Sequence, residues 1–257
     1  MTLAELQSRS AGSRVDDRAW QTQTLEDALE GADMFRVADG GALDVRAEVL
    51  EIRTAQGLVV RVALRMDVPP DLTGVLDELE AVVEVERAQG DSAIREDLPM
   101  AAERAAAVLD AKVQLARTPQ TVQQLLRSPD PELALIALDW VEAQRVRSAA
   151  SVVADMLRHP DDRVMLRAVE VLGVVGSTSE VGTLIAAARL SDRAHTGRLY
   201  EALAALGGPE AEGFLGFAAR NEDDPALARL AERALGEAQG TMPRPPPAGV
   251  ATPRGHR

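Results

Sequence analysis

Four aspartates, Asp130, Asp161, Asp192 and Asp223, stand 31 residues apart with no gap between them. The same beat carries Arg127, Arg158, Arg189 and Arg220 just ahead of them. It also carries an acid nine residues after each Asp: Asp139, Glu170, Glu201 and Glu232. A period of this size, kept from Ser128 to Gly236, marks a solenoid, in which one supersecondary unit recurs and buries its apolar face against its neighbours.

Apolar columns place two helices in each period. In the first helix the columns are Ala137/Ala168/Leu199/Leu230, Leu138/Val169/Tyr200/Ala231 and Val141/Leu172/Leu203/Ala234. In the second they are Val122/Val153/Leu184/Leu215, Leu125/Met156/Ala187/Ala218 and Leu126/Leu157/Ala188/Ala219. Pro129, Pro160, Pro209 and Pro225 fall between helices or in a first turn, where a missing amide hydrogen costs least. Only 2% of the chain is aromatic, so a core must be built from Ala, Leu and Val, which suits close helix packing.

The unit resembles a short HEAT-type repeat of the phycobilisome-lyase-like kind. That pattern pairs an acidic start with Val-Arg and then Ala, Leu and Gly-x-x-Gly. Asp162, Val164, Ala168, Leu172, Gly173 and Gly176 match it, and Leu206-Gly207 echoes it one unit on. Met165 stands where the pattern has Arg, and the first unit has Trp140-Val141 without a glycine. The resemblance covers about residues 120–238 and implies a HEAT-like α-solenoid over 99–238, with about four units and the 31-residue period running from 129. Met100–Arg117 is alanine-based and off the columns, as a terminal cap is expected to be. The Thr-Pro-Leu-His opening of ankyrin repeats is absent.

The preceding residues read as α+β. Residues 1–32 form a polar segment with two short helices expected around Leu3–Ser8 and Glu26–Gly31, the second capped by Thr24. Over 33–90 a small α+β domain is expected. Leu43, Val45, Ala47 and Val49 alternate with polar residues, Thr54–Gly57 offers a turn, and Leu58 to Met66 alternate again, which predicts a β-hairpin. A bulge or an added packing contact is expected where the alternation slips at Val49-Leu50. Met34–Val37 offers a third strand. Leu72, Val75, Leu76, Leu79, Val82 and Val83 recur at helical spacing, predicting a helix over the hairpin. This order resembles small secretion-chaperone-like folds, with no residue motif to carry the likeness. Residues 91–98 read as a connector, and 239–257 as a disordered proline-rich tail. The whole is an α+β chain: a hairpin-plus-helix domain followed by an all-α solenoid.

Net charge is −13, and residues 239–257 supply three arginines, Arg244, Arg254 and Arg257, against no acid. A surface so acidic repels phosphate backbones, so nucleic acid is not an expected partner. There is no cysteine, which excludes disulfides and thiolate metal sites. The arginine preference, with Lys112 the only lysine, is that of high-GC bacterial coding. No apolar run approaches the roughly 20 residues needed to span a bilayer, and no basic-then-apolar leader opens the chain, so a soluble cytoplasmic protein is expected.

Catalytic equipment is thin. His159, His195 and His256 lack zinc-motif spacing, Gly173–Gly176 lacks the lysine of a phosphate loop, and no nucleophile elbow occurs, so no catalytic residue, cofactor or metal is expected. The Arg127 column ends each second helix, where a cation complements the negative helix terminus and reaches the following Asp. The Arg167/Arg198/Arg229 column with Glu170/Glu201/Glu232 reads as a repeated ion pair within each helix. Asp77, Glu78, Glu80, Glu84 and Glu86 offer a solvated face or a contact for a basic partner.

One departure invites a partner. The column Gln124/Asp155/Ala186 ends in Phe217, flanked by Gly213 and Gly216 with Phe214 nearby. Either Phe217 is a hydrophobic contact point, or Phe214 and Phe217 pack on the final half-unit. Trp140 is a second break in the beat. The function expected is a non-enzymatic adaptor that binds a protein partner through the solenoid surface, with the N-terminal domain as a second attachment point. The repeat resemblance implies an alternative, a chromophore-lyase-like or other ligand-handling enzyme.

Overall fold

A computed structural model describes residues 2–10, 15–37, 43–54, 57–73, 75–76, 79–87, 94–188 and 193–241. Asp77, Glu78, Arg189, Asp192, His256 and the proline-rich 242–257 therefore lie outside the described residues. The chain divides into two compact units, Met1–Ala137 and Leu138–Arg257, and is mixed α and β.

The first unit is built on a sheet. Strand β1 (Thr2–Ser10) runs parallel to β2 (Arg36–Val37) and to β3 (Leu43–Arg53), with helix α1 (Val15–Glu30) as the crossover that parallel neighbours require. Strands β3, β4 (Leu58–Met66) and β5 (Leu79–Arg87) form an antiparallel meander, giving the order β2-β1-β3-β4-β5. Alternation sets the faces: Val45, Ala47 and Val49, then Val60, Val62 and Leu64, then Leu79, Ala81, Val83 and Val85 all point into one core. Helix α2 (Ile94–Arg117) covers that face with Leu98, Ala101, Ala102, Ala105, Leu109 and Val113.

Several expectations are corrected here. The helix predicted over Leu72–Val83 is strand β5 from Leu79 onward. Leu79, Ala81, Val83 and Val85 also satisfy a period of two, and pairing with β4 sets Glu84 against Arg61 and Glu80 against Arg65, so the strand wins both its ladder and its ion pairs. The cover the hairpin needs is instead α2. It starts at Ile94, inside the expected connector, and lies on the sheet where a cap on the repeats was expected. Its alanines let it approach closely. Leu3–Ser8 is strand, and Glu26–Gly31 is only the end of α1. Thr24 is no cap: its hydroxyl donates to the Trp20 carbonyl, 2.9 Å away in the preceding turn. The β3–β4 register runs unbroken from Val45/Met66 to Arg53/Leu58, so Val49-Leu50 holds no bulge; Leu50 and Ile52 are half-buried on the second sheet face. Helices α3 (Val122–Leu126) and α4 (Pro131–Ala143) follow α2.

The second unit is helical. After α4 come α5 (Ala150–Asp155) with a 3-10 turn at Met156–Arg158, α6 (Asp162–Val175), α7 (Val181–Ala188), α8 (Arg193–Leu206), α9 (Gly208–Asn221) and α10 (Pro225–Ala238). α6 packs against α8 and α8 against α10; α7 packs against α8 and α9, and α9 against α10. The column residues Val169, Leu172, Leu184, Leu199, Leu203 and Leu215 are buried. Gly176 caps the end of α6, and the position suits glycine because a Cβ there would stand 2.6 Å from the Leu172 carbonyl oxygen. Gly207 and Gly208, at φ +64° and +88°, turn the chain from α8 into α9 in a region that glycine adopts freely.

The pair expected within a helix is present at Arg167–Glu170, and further ion pairs join neighbouring helices. Arg167 bonds Asp139 at 2.8 Å, Glu142, and Glu170 at 3.1 Å; Arg198 reaches back to Glu170, and Arg233 to Glu201 at 3.1 Å. Burial by itself lowers the Arg167 pKa, but its hydrogen bonds to Asp139 and Glu142 outweigh that and hold it above the usual value. Arg229, expected to pair with Glu232, donates instead to the Pro225 carbonyl one turn back at 2.9 Å.

The aspartate beat has a local meaning. Asp130 accepts the Glu132 amide and Asp161 the Arg163 amide, each at 2.9 Å, so each caps the helix it precedes. The ion-pair partner of Asp161 is Arg163, where the Arg158 column was expected. Ahead of α10 the cap slips by one residue: Asp224, not Asp223, accepts the Ala226 amide at 2.7 Å.

Candidate functional site

The slip matters because of where it falls. α9 ends at Asn221, and Glu222-Asp223-Asp224 joins it to α10. Together with α7 and α8 these segments enclose an open cleft of about 550 Å3. Its lining is half apolar, from Ala188, Phe214, Phe217, Ala218 and Leu227, and half polar, from Thr196, Tyr200, Asn221 and the three acids. No described residue of the lining is basic.

Each lining group is held by its helix. Tyr200 stands in the buried first-helix column with 3% of its surface exposed, and its hydroxyl donates to Glu222 Oε2 at 3.1 Å. Burial, and then the neighbouring Glu222 carboxylate, push the tyrosine pKa up to about 12, so it remains a neutral donor at physiological pH. Phe214 meets the Tyr200 ring edge-on, with centroids 6.2 Å apart at 63°. One turn on, Phe217 is 60% exposed, the most exposed of the large hydrophobic side chains in the described residues. Asn221 donates to the Phe217 carbonyl at 2.8 Å, which closes the last turn of α9. Asp224 is occupied by its cap, which leaves Asp223 exposed at the rim.

Of the residues singled out from sequence, Phe217 and Phe214 line the cleft. Gly213 and Gly216 do not: Gly213 faces open space, and Gly216 is buried against Arg220 and Leu235. Asp155 on α5 and Gln124 on α3 are exposed, and Trp140 on α4 is half-buried; none of the three lines the cleft. Sequence reasoning missed Tyr200, Thr196 and the acids. The available signal was the run Glu222-Asp223-Asp224, three acids where earlier units have Pro129-Asp130-Pro131 and Pro160-Asp161-Asp162. His159 has a local duty, its Nδ1 accepting the Asp161 amide at 3.0 Å.

A second cleft, of about 640 Å3, lies in the first unit between α1 and α2, with Asp27, Asp33, Glu103 and Asp110 in its lining. Asp110 is buried and engaged, accepting the Met34 amide at 2.8 Å and Gln114 Nε2 at 2.6 Å. Burial raises its pKa against those two hydrogen bonds, and the Asp33 charge adds to the rise. Glu80, Glu84 and Glu86 lie along β5, the first two answered by Arg65 and Arg61.

Among the described residues no group of three or more His, Asp or Glu side chains is arranged for a metal ion, and no helix is long and apolar enough to cross a membrane. No family model matches this chain, and no curated protein matches it either.

Proposed function

We propose that the protein is an adaptor whose helical unit is a HEAT-like solenoid and binds a protein partner through the exposed end of α9 and the cleft beside it. The N-terminal α+β unit supplies a second point of attachment. The observation that carries this reading is Phe217. An aromatic ring on the last packed half-unit would be covered, yet this one is 60% exposed at the mouth of a cleft, while its neighbour Phe214 is tied down against Tyr200. Exposed aromatic anchors at the edge of a preformed depression are the residues that dominate protein interfaces. The column itself supports this: Gln124, Asp155 and Ala186 are exposed as well, so the position faces solvent in every unit and only the last is aromatic.

Co-purification with the immobilised full chain, read by quantitative mass spectrometry, tests the reading. The adaptor retains a discrete set of stable protein partners. Recovery of no stable partner at any salt concentration contradicts it.

A further inference from the structure

We infer that the exposed face of α9 receives a second copy of this chain, the two α9 helices packing antiparallel about a two-fold axis level with Leu215. This rests on the adaptor reading, since it names the protein met at Phe217 and leaves other partners to the N-terminal unit.

The face is a stripe formed by Glu210, Gly213, Phe217 and Arg220, all of them exposed. At about 100° per residue they fall within an arc of about 80° around the helix. Leu215 lies on the opposite side and is fully buried, so the stripe looks outward. The earlier units carry nothing comparable: where α9 has Glu210, Gly213 and Phe217, they have Ser148, Ser151 and Asp155, then Ser179, Gly182 and Ala186.

A two-fold interface uses one patch twice, so every residue in it must face its complement. In antiparallel helices centred on 215, position 213 meets 217 and position 210 meets 220. The stripe satisfies both pairings. A Cβ at Gly213 would meet nothing within 4 Å, and the Phe217 ring is 60% exposed, so the ring of each copy is a knob for the glycine hole of the other. With no side chain at 213 the two backbones can approach closely. Glu210 and Arg220 stand about 7.5 Å along the axis on either side of the centre, which brings each carboxylate level with the other copy's guanidinium. A parallel pairing fails on both counts, because it sets Glu210 against Glu210 and ring against ring.

The helix ends agree with the same arrangement. Antiparallel packing lays the positive pole of each α9 beside the negative pole of the other. It also carries the acidic Glu222-Asp223 end of one helix toward the start of the other, where the N-cap is Gly207 and no side chain caps the helix.

The test is sedimentation velocity of the full chain from about 1 µM to about 500 µM, the range in which a small interface associates. The sedimenting species should grow from monomer toward dimer as concentration rises. Phe217→Ala and Gly213→Leu should each weaken dimerisation at least about tenfold, with urea midpoints no lower than that of the wild type. Glu210→Arg and Arg220→Glu should each weaken it about fivefold or more, and the double reversal should return to within about threefold of wild type. Charges that served only the poles of their own helix would recover no association in the double variant. A monomer at every concentration overturns the inference, as does a dimer indifferent to Phe217→Ala or a double reversal that restores nothing. Should the chain stay monomeric while Phe217→Ala abolishes capture of a different protein, the adaptor reading stands and the second copy falls. A dimer that needs this stripe, from a chain that retains no other protein, upholds the pairing and removes the adaptor.

Discussion

Tyr200 donates its hydroxyl to Glu222 across 3.1 Å and so ties a buried position of the helical core to the acidic rim of the cleft. Burial of the ring, and then this bond, give a pH dependence. The tyrosine pKa rises from 10 to about 12, so the folded state keeps its proton longer than the unfolded chain does. The associated stability is complete below pH 10 and is lost as pH climbs from 10 toward 12. Wild-type stability measured by urea titration should fall by about 2–3 kcal/mol more than that of Tyr200→Phe across this window. Parallel curves for the two proteins contradict the assignment.

Arg167 and Arg233 give a contrast in depth. Arg167 keeps 24% of its side chain exposed and serves three carboxylates, whereas Arg233 is 47% exposed at the end of the ladder. Arg167→Ala is expected to cost about 1.5–3 kcal/mol, because charged hydrogen bonds in a half-buried setting are removed together. Arg233→Ala should cost no more than about 0.5 kcal/mol. Equal losses in chemical denaturation count against the ladder as the scaffold's fastening.

The slipped cap makes neighbouring aspartates unequal. Asp224→Ala should destabilise by about 1 kcal/mol through the loss of its bond to the Ala226 amide. Asp223→Ala should fall within about 0.5 kcal/mol of wild type. Asp161 has a related acid limb: the hydrogen bonds from Arg163 are the main cause that holds its carboxyl below the usual 3.8, with slight burial opposing. Its stabilising share is present above pH 3.8 and is lost as pH falls below it, so Asp161→Asn should flatten the acid end of the stability curve. A reversed order at 223 and 224 overturns the slip.

Two glycines should respond in opposite directions. A methyl at Gly176 meets the Leu172 carbonyl at 2.6 Å and Leu206 Cδ2 at 3.0 Å, so Gly176→Ala should cost about 1–3 kcal/mol. A methyl at Gly213 meets nothing within 4 Å inside α9, so Gly213→Ala should gain about 0.5–1 kcal/mol from helix propensity. Thermal or urea unfolding reads both, and a destabilised Gly213→Ala reassigns that glycine to a contact the structure lacks.

How far the sequence announces these features follows from which rule was local. The buried columns at Val169, Leu172, Leu203 and Leu215 are legible because helix periodicity depends on neighbours three and four residues away. Strand β5 is hidden, because Leu79, Val82 and Val83 satisfy a helix as well as Leu79, Ala81, Val83 and Val85 satisfy a strand. Only the long-range ladder to β4 decides between them. α2 reads as a repeat cap because nothing in its alanines tells whether a sheet or a helix will cover them. In the cleft, Phe217 is visible as a break in its column. Tyr200 is concealed by the company of Leu138 and Val169, and Asp223 by standing on the beat that its predecessors obey. The exposure of Asp223 follows from a helix starting one residue late, which the spacing does not record.

The most direct test of the adaptor account is the affinity of Phe217→Ala for the captured partner, measured beside its urea midpoint. The account predicts at least about a tenfold loss of affinity, as for an interface anchor, with the midpoint unchanged. A lowered midpoint with unchanged affinity would show that the ring serves the packing of α9 and would contradict it.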